Sequence, residues 1–194
     1  MISAIIAAVE DASQRTEEGA FFAPSETPQL QSLLQTVLAT AVDEVICVSR
    51  DLARARRYVN LADRRLFWIW SPAGVREQSS LLITGLWASH SKSDGVIFVS
   101  ADQPLLDKKV LDALLTEFNA GVAWIVAATV DGEPRAPILF RRNLYPQLLT
   151  LKGNDTGQSL IKRHPLNTAL IESGQPAGAQ RRKRTKVARL KERV

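Results

Sequence analysis

Thiols and imidazoles are nearly missing from this chain: one cysteine, Cys47, and two histidines, His90 and His164, stand among 194 residues. A single cysteine excludes a disulfide scaffold, and with no partner at ligand spacing it excludes a structural zinc site as well. The histidines lie far apart and neither has a neighbouring nucleophile, so no triad can be assembled from them and surface or capping roles are expected. Long apolar runs are absent too. None approaches the roughly 20 residues that cross a bilayer, and the first run, Met1 to Val9, has no basic segment before it, so a cytoplasmic protein without membrane partners is expected. With 10 Gly and 9 Pro the chain is neither collagen-like nor low-complexity, and its 45% apolar residues suit one globular core. A domain of this size buries about 70% of the surface of its unfolded chain and needs no metal or disulfide to hold it.

The charge is unevenly distributed. Residues 175–194 hold eight cations (Arg181, Arg182, Lys183, Arg184, Lys186, Arg189, Lys191, Arg193) against Glu192, a net +7, which leaves the first 174 residues at −2. The chain therefore divides into a slightly acidic domain, 1–174, and a basic tail, 175–194. Only Val187, Leu190 and Val194 give the tail a weak helical spacing, so it reads as a solvated segment. No aromatic residue is interleaved with its cations, which makes nucleic-acid binding the weakest reading of the cluster.

Within the domain, apolar runs of strand length alternate with segments of helical period, the order expected of an α/β protein with a mostly parallel sheet. Ile2 to Ala8, Glu44 to Ser49, Arg65 to Trp70, Gly95 to Ser100 and Val122 to Val130 read as strands. Leu30, Leu33, Leu34, Val37 and Leu38 form one apolar helical stripe after Pro28, and Val110, Leu111, Leu114, Leu115 and Phe118 form another after Pro104. Ser79 to Trp87 reads as a helix between them. Pro134 and Pro137 predict irregular chain crossing a cleft before Ile138 to Phe140 resumes an extended run. Cys47, in the run Val45 to Val48, is expected in the core. Trp68, Trp70, Trp87 and Trp124 are expected in the core or an interface, and Asp43, Glu44 and the run Asp51 to Arg57 on a solvated surface.

The string most suggestive of chemistry is Val96, Ile97, Phe98, Val99, Ser100, Ala101, Asp102, Gln103, Pro104, followed by a helix. It places Asp102 where a buried strand ends, the carboxyl edge at which open α/β sheets bind ligands. A carboxylate there can hold Mg²⁺, or can simply cap the next helix.

The whole string resembles the MobA-like nucleotidyltransferases, and among them the molybdenum cofactor cytidylyltransferases. Ala101 to Pro104 is similar to their "ADQP" turn, Met1 to Ala8 to their first strand, and Thr27 to Arg50 to their "PLLQ" helix and "VDEVIVV" strand. Gln78, Ser79, Ser80, Gly85 and Leu86 resemble "QSSSL..GL"; Pro137 to Phe140 and Gly153, Asp155, Thr156, Gly157 resemble "GHPVLF" and "GDTG". The resemblance covers about 160 residues in order. It implies a Rossmann-like three-layer sandwich of the nucleotide-diphospho-sugar transferase (GT-A-like) type, with a mostly parallel mixed sheet. It further implies transfer of CMP or GMP from CTP or GTP to molybdopterin, with release of pyrophosphate. Carried over residue by residue, Asp102 would coordinate Mg²⁺, Arg15 would contact the phosphates, Ala7, Ala8, Ser79 and Ser80 would hold base and ribose, and Gln103, Pro137 and Asp155 would face the acceptor. A molybdoenzyme is the implied protein partner.

The sequence departs from this pattern at the phosphate loop. Val9 stands for its glycine and Ala20 for its lysine, while Glu10, Asp11, Glu17 and Glu18 bring four acids. Arg135 and Ala136 replace the Gly-His of "GHPVLF", and Arg184 to Leu190 replaces an acidic C-terminal motif. Two readings follow. One is an active nucleotidyltransferase; the alternative is a non-catalytic relative that binds a cofactor or assists maturation of a molybdoenzyme.

Overall fold

The computed structural model describes residues 1–8, 27–57, 59–72, 77–100 and 106–173. Its first element, β1 (Ile2–Ala8), is seven uncharged residues buried without exception. Such a run fits only a strand covered on both faces, which is where parallel strands lie. β2 (Glu44–Ser49) and β3 (Leu66–Trp70) extend the sheet from one side of β1 in parallel. The chain then returns to the other side of β1 with β4 (Gly95–Ser100), also parallel. Two more strands, β5 (Ile125–Val130) and β6 (Glu133–Arg141), form a hairpin in which β6 is antiparallel to both β4 and β5; β7 (Thr168–Glu172) closes the far edge parallel to β5. The order is β3-β2-β1-β4-β6-β5-β7, a mixed, mostly parallel seven-stranded sheet.

Helices cover both faces, as connections between parallel strands require. On one face α1 (Thr27–Leu38) and α4 (Lys108–Asn119) press their leucine stripes on Ala4, Ile6, Cys47, Ile97 and Val99. The other face is covered by α3 (Gln78–Ala88), α5 (Tyr145–Leu148) and α6 (Gln158–Arg163), packed on Ile5, Val48, Phe98, Ile138 and Phe140. The short α2 (Leu52–Arg57) begins at Asp51, whose carboxylate accepts the Arg54 N–H at 3.0 Å, and buries only Ala55. Cys47 lies in the core, and burial pushes its thiol up to about 12. No described helix is long and apolar enough to cross a membrane.

Four expectations from the sequence are corrected. The chain around Pro134 and Pro137 is a continuous strand, because β4 ends before it reaches Pro134, so no ladder bond is asked of that proline, and the β5–β6 register shifts between Ala127 and Ala128, leaving Pro137 unpaired in a bulge. The strands expected from Arg65 and Val122 begin at Leu66 and Ile125. Of the tryptophans, expected in the core or an interface, Trp70 and Trp87 are 57% and 73% exposed, which excludes the core for these two, while Trp68 is half-buried beneath the Arg56 guanidinium. Glu44, expected on the surface, is buried: its Oε1 accepts the Ser3 hydroxyl and, at 2.7 Å, the His90 N–H. Ser3 Oγ is also 2.7 Å from Ser93 Oγ, and Asp43 accepts the Ile2 N–H at 2.6 Å. These bonds join the amino ends of β1, β2 and β4, so Glu44 ties strands together instead of meeting water, while Asp43 stays exposed, as expected, and still accepts from β1. At the same edge the Met1 amine lies 2.8 Å from Asp94; the hydrogen bond holds that carboxyl below its ordinary range and raises the amine.

Candidate functional site

The direction of chain travel across the sheet reverses at β1: β2 and β3 lie to one side of it and β4 to the other. The carboxyl ends of β1 and β4 at such a switch point are where an open α/β sheet receives a ligand. Register places Ala7 beside Ser100 as the last pair of the two strands. In sequence, the segments carrying Arg15 and Asp102 follow Ala8 and Ser100. Both residues, with Gln103, Val9, Ala20 and the acids of the phosphate loop, lie outside the described residues.

Close packing draws α3 onto β1. A Cβ on Gly85 would fall 2.3 Å from Cγ2 of Ile5, so only glycine lets the helix approach β1 at that distance. The first turn of α3 consequently overhangs Ala7 and supplies Gln78 and Leu82. A second wall comes from residues 152–157, which are pinned to α3 through Glu77. Its Oε2 accepts the Gly153 N–H at 2.9 Å, and the Ser79 N–H donates back to the Gly153 carbonyl at 3.1 Å. Asp155 Oδ1 accepts the N–H groups of Gly157 (2.8 Å) and Ser159 (3.4 Å), which caps α6 and leaves Thr156 facing inward. Gly157 has φ +97°, and a Cβ there would lie 2.3 Å from Cζ of Phe140. Of the three glycines shared with the resembled motifs, Gly85 and Gly157 are thus explained by packing, while Gly153 has a positive φ of +63° and open space around it.

The result is a shallow, open hollow bordered by Ala7, Gln78, Leu82, Phe98, Val99, Ser100, Ala136 and Thr156, whose enclosed space of about 10 Å³ is that of a single water. Its surface is almost wholly apolar. Of the residues singled out in the sequence, Ala7 lines the hollow. Ala8 follows it with its side chain toward α1 and α4. Ser79 is buried, and the Ser80 hydroxyl is held by the Glu77 carbonyl at 2.7 Å. Pro137 is buried in β6 next to Ala136, and Asp155 holds α6 by its cap. Gln78, Thr156 and Glu77 went unselected, although the first two stand inside the quoted motifs; Glu77 has no sequence signal, since its role depends on a partner 76 residues away. His90 accepts the Lys92 N–H at 3.1 Å in a local turn, and His164, at the end of α6, lies 3.1 Å from the Gln147 side chain of α5. Among the described residues no three His, Cys, Asp or Glu side chains gather into a metal-binding group.

A doubly wound sheet with a ligand crevice at this switch point is the architecture of nucleotidyltransferases. Residues 1–168 match the family model of the MobA-like NTP transferase domain, and the chain belongs to that family. No curated protein sequence matches it significantly. Solved structures with the same fold include a nucleotidyl transferase from Methanothermobacter, 19% identical, with a TM-score of 0.71 over 91% of this chain and 88% of that one. The Rv0371c protein of Mycobacterium tuberculosis H37Rv, in complex with manganese, is 16% identical, with a TM-score of 0.65 over 90% and 89% of the two chains. CMP:2-keto-3-deoxy-manno-octonic acid synthetase, complexed with CTP, is 14% identical, with a TM-score of 0.63 over 89% of each. At these identities the likeness is one of fold.

Proposed function

We propose that this protein is a nucleotidyltransferase of molybdenum cofactor biosynthesis, moving CMP or GMP from CTP or GTP to molybdopterin. The observation that carries the reading is the pairing of Ala7 with Ser100 where β1 and β4 end, beside a shallow apolar hollow, in a chain that belongs to the MobA-like NTP transferase family. The base enters between Gln78 and Thr156 over the apolar floor, and the sugar and phosphates extend toward the segments that follow Ala8 and Ser100. Ser79, Ser80 and Asp155 act behind this surface, by building the α3 turn and capping α6. An acceptor oxygen attacks the α-phosphorus; the bond to the β-phosphate oxygen breaks and pyrophosphate leaves. Asp102, two residues beyond Ser100 in sequence, would hold Mg²⁺, whose charge would offset that of the phosphates. Arg15 contacts the phosphates, and Gln103 and Pro137 lie on the acceptor's side. The manganese complex of one structural neighbour and the CTP complex of another support a divalent ion and a cytidine nucleotide.

A non-catalytic cofactor-binding relative is the second reading, favoured by Val9, Ala20 and the acids of the phosphate loop. Incubation with CTP or GTP labelled at the α-phosphate, Mg²⁺ and molybdopterin separates the two. Label transfer and pyrophosphate release are expected, with at least a 100-fold loss in Asp102→Asn and an unchanged circular dichroism spectrum. Nucleotide binding without transfer would support the second reading, and an Asp102→Asn variant at full rate would remove the metal assignment.

A further inference from the structure

The sheet ends on β3 without the devices that usually blunt an exposed edge. An edge strand offers a row of unpaired main-chain groups, and proteins commonly guard it with charge, proline or a bulge. β3 has none of the three, and it is paired on one side only, in parallel with β2 and without a shift of register. The Val45 N–H donates to the Arg65 carbonyl at 2.8 Å, and the Ser71 N–H to the Ser49 carbonyl at 3.0 Å. Alternate residues of a parallel strand face its neighbour, so Arg65, Phe67, Ile69 and Ser71 bond to β2, while Trp68 and Trp70 turn their N–H and C=O groups outward. Among the described residues nothing bonds to those outward groups.

We infer that this edge receives an extended, acidic segment of another protein as one more strand of the sheet, independently of any nucleotide chemistry. Charge selects the guest. Residues 50–65 hold six arginines (Arg50, Arg54, Arg56, Arg57, Arg64, Arg65) against two aspartates, a net +4, and both aspartates are engaged: Asp51 caps α2, and Asp63 lies 3.0 Å from Arg65. Neither α1 nor α3 carries a charged residue to offset this. Alternation along the strand adds a pattern. Trp68 and Trp70 share one face of β3, with the Arg56 guanidinium 5.8 Å from the Trp68 ring centre; Phe67, 48% exposed, and Ile69 share the other. A guest strand sets its own alternate residues on the same two faces, so acids on one meet Arg56 and apolar residues on the other meet Phe67. Strand addition of this kind draws affinity from main-chain bonds and selectivity from the side chains. A second copy suits the edge less well, because pairing β3 with itself about Trp68 brings two Arg56 groups to one face, where like charges repel. A nucleic acid would answer the arginines but offers no peptide ladder to Trp68 and Trp70.

The test titrates the full chain with a fluorescent, capped heptapeptide alternating glutamate and valine, read by anisotropy, with its lysine–valine counterpart and polyuridylate as controls. The glutamate peptide should bind saturably and about 10-fold more tightly than the lysine peptide at low salt, a gap that added salt should narrow. Trp70→Pro removes one outward N–H at a place where an edge strand tolerates proline, and should weaken binding about 10-fold. Arg56→Gln with Arg57→Gln should weaken it about 5-fold. Amide hydrogen exchange needs no variant: saturating peptide should slow the Trp68 and Trp70 amides of the unaltered chain about 10-fold and leave Ala4 unchanged. Equal binding of the two peptides, undiminished binding by Trp70→Pro, or unslowed Trp68 and Trp70 amides would overturn the inference. Polyuridylate binding more tightly than the glutamate peptide would also overturn it, as would a dimer of the unaltered chain that Trp70→Pro converts to monomer in sedimentation, since each assigns the edge a different occupant.

Discussion

Substituting Gly157 by alanine tests how the hollow is built, because two separable costs meet at one methyl group. The backbone at this position has φ +97°, where an L side chain is strained, at about 1–2 kcal/mol. The added Cβ would also lie 2.3 Å from Cζ of Phe140, a ring that is fully buried and tilted against Phe98 at a centroid separation of 5.3 Å. Neither ring has room to retreat, and overpacking of this kind costs about 1–3 kcal/mol. The sum, roughly 2–5 kcal/mol, corresponds to a fall in Tm of roughly 4–20 °C for a chain of this length. Thermal unfolding followed by circular dichroism measures it. Phe140→Leu separates the terms: it removes the clash and keeps the strain, so the double variant should recover about 1–3 kcal/mol relative to the sum of the single changes. A Tm loss under about 2 °C in Gly157→Ala, or strict additivity in the double variant, would refute this account of the α6 entry.

Two further outcomes follow from groups remote from the hollow. Cys47, with its thiol pushed up to about 12, should be about one part in ten thousand thiolate at pH 8 and should resist a thiol reagent until urea unfolds the chain. The same displacement makes stability fall as pH rises above about 9, where the unfolded chain loses that proton and the folded chain keeps it; labelling at the unfolded rate in native buffer would contradict both statements. Glu44→Ala strands the His90 N–H and the Ser3 hydroxyl inside the amino-end network. It should lower stability by about 2–4 kcal/mol in urea melts, against less than about 0.5 kcal/mol if the residue were the solvated side chain its sequence context suggests.

Much of the fold was legible because its signals are local. β1 reads as a buried strand from seven uncharged residues, and α1 and α4 read as helices from leucines at i, i+3, i+4 and i+7. Misreadings occurred where a long-range partner decides. Pro134 and Pro137 look like strand breakers until the short reach of β4 and the bulge opposite Ala127 remove the need for their missing donors. Glu44 looks solvated until Ser3 and His90, 41 and 46 residues away, surround it. The hollow is partly legible: the end of a buried run points to Asp102, the family resemblance points to Ala7, and register sets Ala7 beside Ser100. Glu77 was invisible, since its carboxylate matters only through the Gly153 amide. Ser79 and Ser80 are conspicuous in sequence; both stand in the first turn of α3, where the Ser80 hydroxyl donates to the Glu77 carbonyl and Gln78 borders the hollow.

The central claim is that nucleotide enters where β1 and β4 end. An amide NMR titration of the full chain with Mg-CTP reports directly on that place. The account predicts saturable shifts concentrated at Ala7, Gln78, Ser100 and Thr156, with Ile2, Gly95 and the other amino-end residues unmoved. Shifts gathered at the amino ends of the strands, or none at millimolar nucleotide, would contradict it.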